Sequence, residues 1–189
     1  MRLFSKVVLA AVLVTLAISV STKAQTGDND GCSNATLNGD YAFTVSGTFI
    51  DTIPQPPPAP AKVVPVQRLG VAMTHFNGTG GLTQVDFVVS NVPPPGVAPT
   101  DPVTGFHTGE WGTYTVHSDC TGTFIIHFPD FTTPVGNIPG AIIVTNFVLS
   151  NHGRSIHTVV TSLTPPVGTA SEVFISSEGH KLGIVGQED

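Results

Sequence analysis

Seven histidines, thirteen acidic residues and two cysteines are the side chains of this sequence best suited to bind a metal, move a proton or attack a carbonyl. The histidines are His75, His107, His117, His127, His152, His157 and His180. A zinc site needs ligands at short spacings or brought together by the fold. No His-x-His, His-Glu-x-x-His or Cys-x-x-Cys pair occurs. His107 and Glu110 are close in sequence, but in a stretch that reads as loop and with no third ligand beside them. Most of the histidines alternate with apolar residues on strand-like segments, as solvated or singly packed rings do. The reading is therefore no metal and no cofactor. Asp28-Asn-Asp-Gly31 resembles the start of a calcium loop, but Gly39 stands where the acidic twelfth position belongs, so it reads as a polar tail. Gly78-Thr-Gly-Gly81 lacks the Lys-Ser/Thr of a phosphate loop and reads as a hairpin turn. There is no Gly-x-Ser-x-Gly elbow, although a Ser-His-Asp triad built from distant strands stays open. The acids in or beside strands are Asp86, Glu110 and Glu172. Asp86 alternates with Val85 and Phe87, which read as inward, so Asp86 is expected on the solvated face.

The elements that must position these groups are strands. Tyr41 to Ile50 alternates strictly, with Tyr41, Phe43, Val45 and Phe49 on one face and Thr44, Ser46 and Thr48 on the other. Further strand-like segments end at Phe76 and cover 82–90, 110–117, 121–128, 141–149, 155–163 and 170–176. No useful amphipathic helical period occurs beyond the N-terminal apolar run. The connections sort into two kinds. Asn77–Gly81, Ser118–Gly122 and Asn151–Arg154 are tight turns rich in Gly and Asn. Between them lie long connections rich in proline, at 51–65, 92–109, 129–140 and 164–169. Short and long links alternate, which puts all the turns at one end of a meander and all the long loops at the other. The predicted fold class is all-β, a single antiparallel up-and-down β-barrel of about eight strands. Cys32 precedes the first strand and Cys120 sits in a tight turn, so both fall at the turn end. A Cys32–Cys120 disulfide would pin the segment before Tyr41 across that base. The opposite, proline-rich rim is then the open end.

The N-terminus reads as a secretory signal: Arg2 and Lys6, an apolar run from Val7 to Val20, then Ser21-Thr22-Lys23-Ala24. The expected organisation is a signal peptide at 1–24, a tail and base-crossing segment at 25–40, and a barrel domain at 41–189. The expected location is secreted or periplasmic. Cleavage would remove three of the seven basic residues and none of the thirteen acids, for a net charge near −9. Such a surface repels phosphate backbones and anionic lipid, so neither nucleic acid nor, after cleavage, a membrane is an expected partner.

Cys32-Ser-Asn-Ala-Thr-Leu-Asn-Gly-Asp-Tyr-Ala-Phe43, Phe76-Asn-Gly-Thr-Gly-Gly-Leu-Thr83 and Gly112-Thr-Tyr-Thr-Val with Asp119-Cys-Thr-Gly-Thr123 carry a resemblance. In these segments the chain resembles a group of uncharacterised secreted bacterial small β-barrel proteins. The architecture is similar, by analogy alone, to lipocalin-like and allene-oxide-cyclase-like barrels. The resemblance implies no activity. The expected function is binding of a small apolar or aromatic ligand at the proline-rich end, by Phe49, Phe106, Glu110, Trp111, Tyr114 and Phe128. The alternatives are a structural or adhesive surface module with a filled core, and a cofactor-free cyclase or isomerase using Glu110 and Tyr114.

Overall fold

The computed structural model describes residues 31–53, 58–60, 62–91, 105–133, 136–165 and 172–183. The expected signal peptide, the calcium-like Asp28–Asp30 and much of the proline-rich loops lie outside the described residues.

Among the described residues ten strands form: β1 (Asn38–Ile53), β2 (Lys62–Asn77), β3 (Gly81–Ser90), β4 (His107–Val116), β5 (Thr121–His127), β6 (Phe131–Thr133), β7 (Gly136–Ile138), β8 (Ile142–Ser150), β9 (Ser155–Thr164) and β10 (Glu172–Lys181). Eight of them close a barrel in the order β1-β10-β9-β8-β5-β4-β3-β2, every pairing antiparallel. Among the described residues β6 and β7 pair with each other, as a small hairpin within the β5–β8 link. The fold is the up-and-down barrel that the alternation of links implies.

The tight turns are built by their own side chains. Asn77 Oδ1 accepts from the Thr79 and Gly81 amides at 2.8 and 2.9 Å. Asp119 Oδ1 accepts from the Thr121 amide and hydroxyl at 3.0 and 2.7 Å, and these bonds hold its carboxyl below the ordinary carboxylate range.

The base is closed by a strap. Cys32 and Cys120 form a disulfide, followed by a 3-10 turn at Asn34–Thr36 and by Leu37, which is fully buried. Tyr114 Oη donates to the carbonyls of Leu37 (2.8 Å) and Asn34 (3.0 Å), and Asn34 Oδ1 accepts from the Val116 amide at 2.8 Å. On the far side Tyr41 Oη donates to the Gly153 carbonyl at 2.5 Å. Burial, with Tyr114 nearby, raises the Tyr41 hydroxyl to about 12, so it stays a donor at any working pH. Phe76 stands between these groups, edge-on to Tyr41 and Tyr114 with ring centroids 5.3 and 5.1 Å away. The lower half of the barrel is thus filled. Tyr114→Phe should cost about 1–2 kcal/mol, because two carbonyls lose their donor, and chemical unfolding checks it.

The two faces of β3 are the reverse of the sequence expectation. Leu82 and Asp86 are buried, while Phe87 and Val89 are exposed. Asp86 therefore points inward rather than to solvent. The cause is an apolar outer wall: outward Leu69, Val71 and Met73 of β2 lie opposite Val89, Phe87 and Val85 of β3. Apolar content alone could not tell the inside of this strand from the outside.

Candidate functional site

Above the filled base the barrel is hollow. A cavity of about 120 Å³ is walled by side chains from all eight barrel strands. Most of the wall is apolar, including Phe43, Phe124, Ile126, Phe128, Ile143 and Ile175. Thr145, Thr158 and Ser177 add hydroxyls from β8, β9 and β10, and a second polar side, with the charged and amide groups, belongs to β2, β3 and β4.

A β-bulge makes that polar side. Gln84 pairs with Glu110, yet Asp86 pairs with His107, so β4 holds one residue more than β3 over this stretch. Strict alternation would put His107 and Glu110, three apart, on opposite faces. The extra residue turns both inward and buries both. Gly109 takes the strained position, with φ of 78°. Gly109→Ala is therefore expected to lose about 1–2 kcal/mol of stability in chemical unfolding, with Gly109→Asn less affected because Asn tolerates this conformation.

The polar groups form two adjoining hydrogen-bonded sets. Thr74 Oγ1 donates to Gln84 Oε1 at 2.7 Å, and Gln84 Nε2 donates to Glu110 Oε2 at 2.8 Å. His107 Nδ1 lies 2.6 Å from Asp86 Oδ1. Glu110 is 2% exposed, and its burial, with the Asp86 charge beside it, raises its carboxyl to about 9. It is a neutral acid at pH 7, able to donate a hydrogen bond. Glu110 Oε1 and His107 Nε2 are buried and have no hydrogen-bond partner within the protein. One ligand atom each from Asp86, His107 and Glu110 lies within 4.8 Å of the others. A buried acid, a buried imidazole held by a carboxylate, and an adjoining cavity together suit proton transfer, metal binding or capture of a polar group.

The residues expected at the site from sequence are dispersed. Phe128 lines the cavity and Glu110 stands among the polar groups. Phe49 is buried, with the Arg68 guanidinium 4.5 Å from its ring centroid, and Arg68 in turn lines the cavity. Tyr114 is in the base, not at the mouth. Trp111 points outward, 54% exposed and stacked on His127 at 4.3 Å. Phe106 packs on the outward Phe87, with centroids 5.7 Å apart. The sequence reading missed Asp86, Gln84 and Thr74, and set His107 in a loop when it opens β4. One signal could have found Asp86 and Gln84. The Asn77–Gly81 turn pairs Phe76 with Leu82, and if both are inward then Gln84 and Asp86 must be too.

Comparison with protein-family models, with curated proteins and with solved structures gave no match. Among the described residues no helix is long and apolar enough to cross a membrane. The half-buried Cys32–Cys120 disulfide fits an oxidising compartment.

Proposed function

We propose that this chain is an exported binding protein whose barrel holds one small ligand, a ring-sized apolar body bearing a polar group. The single observation behind this reading is the cavity above the filled base, apolar on most sides and polar along Gln84, Asp86 and His107. Its size, about 120 Å³, is close to that of an engineered apolar cavity of about 150 Å³ that takes up benzene. It falls below the roughly 300 Å³ of pockets for larger ligands. The ligand class is therefore compact, with its ring against Phe124, Ile126 and Phe128 and its polar group toward His107. Export is supported by the signal-like N-terminus and by the disulfide.

The test uses phenol and indole as probes, followed by saturation-transfer NMR. Uptake by the wild type and loss in Val160→Phe, which fills the cavity from β9, would support the reading. Equal signals in both proteins would place the probes on the outer wall and overturn it.

A second reading, a cofactor-free isomerase or cyclase, is favoured by the neutral Glu110 acid close to His107. In that case Glu110→Gln would retain the ligand and abolish its conversion.

A further inference from the structure

We propose that Asp86, His107 and Glu110 form a binding site for one first-row divalent cation of the zinc class, open toward the barrel cavity. The three residues offer ligand atoms within 4.8 Å of one another, and all three are buried. The cluster is more than a group of acids. It includes an imidazole, and two of its atoms, His107 Nε2 and Glu110 Oε1, are buried without a hydrogen-bond partner. Unsatisfied buried polar atoms are rare and costly in a folded protein. A single cation between them would satisfy both. The Asp86 contact to His107 Nδ1 at 2.6 Å then has a clear use. A carboxylate on one imidazole nitrogen fixes the ring and strengthens the other nitrogen as a ligand.

The donor set limits the metal. His107 Nε2 and Glu110 Oε1, with Asp86 behind the imidazole, make a nitrogen–oxygen site, which suits zinc or manganese rather than the soft ions that prefer thiolates. Among the described residues no free cysteine competes, since Cys32 and Cys120 are bonded to each other. Asp86, and Glu110 once it gives up its proton to bind the ion, also balance a double positive charge. Two protein ligands beside a cavity leave coordination positions for water or a small molecule, as in zinc sites that keep an open position. The site adjoins the proposed ligand cavity but requires no organic ligand, so its failure would leave the binding reading standing.

The test is zinc binding to the exported full chain after stripping with chelator, by calorimetry, with cobalt absorption as a spectroscopic readout. One ion per chain is expected. Glu110→Gln and His107→Gln should abolish uptake, and Asp86→Asn should weaken it about 10–100-fold. Circular dichroism checks that each variant folds. His75→Ala, at an exposed histidine that contacts Asp40, should leave binding unchanged. If the wild type takes up no zinc or cobalt, the proposal fails. It fails equally if uptake survives Glu110→Gln and His107→Gln, because the ion then sits on surface histidines.

Discussion

Replacing Cys32 and Cys120 together by serine is expected to lower the unfolding free energy by about 4–5 kcal/mol. The two cysteines are 88 residues apart, so the bridge closes a long loop and removes much freedom from the unfolded chain. Domains of this size are stable by only about 5–15 kcal/mol, so the loss takes a large share of the total. The folded state should suffer locally too. The bridge fixes one end of the strap over the base, and Leu37 and Tyr114 depend on that strap for their packing and bonds. Chemical unfolding of the double mutant and of the reduced wild type should give the same shift. Hydrogen exchange should rise first at the Val116 amide, which bonds to Asn34 in the strap. A loss below about 1 kcal/mol would mean that the Tyr114 and Asn34 bonds hold the base without the bridge.

Glu110→Gln is expected to raise the stability of the metal-free protein at pH 8 and leave it nearly unchanged at pH 4. Folding moves the Glu110 carboxyl from an ordinary 4.5 to about 9, chiefly by burial and then by the charge of Asp86. Between these values the unfolded chain has released the proton and the folded chain has kept it. The folded state then binds more protons, so stability falls as pH rises from about 4.5 to about 9 and levels off above. The total cost is on the order of a few kcal/mol. Glutamine keeps the shape and an acceptor for Gln84 without any charge to desolvate. Melting temperature against pH, in chelator, should fall across this window for the wild type and run flatter for the mutant. Parallel curves would mean that Glu110 ionises freely in the folded protein. The wild type therefore keeps a destabilising acid in its wall, as functional sites often do.

The barrel was legible because connection length reports on topology. Asn77–Gly81, Ser118–Gly122 and Asn151–Arg154 can join only adjacent antiparallel strands, and their alternation with long links dictates a meander. The β6–β7 hairpin was not legible, since strands of three residues carry no period. The polar wall was hidden for two physical reasons. Val85, Phe87 and Val89 make the outside of β3 as apolar as a core face, which sends Asp86 to the wrong side. The bulge at Gly109 breaks the two-residue period on β4, so His107 and Glu110 share a face that alternation denies them. Trp111 shows the converse error. A lone tryptophan near an expected mouth invites a binding role, yet the parity that turns Glu110 inward turns Trp111 out.

Native mass spectrometry of the chain, purified without denaturant from its own host, tests most directly whether the barrel holds a small ligand. The expected spectrum shows one compact organic adduct on the wild type, small enough for a cavity of about 120 Å³. That adduct should vanish on unfolding and be absent from Val160→Phe. A bare wild-type chain, as isolated and after incubation with phenol and indole, would contradict the binding function and leave a structural module with a small internal void.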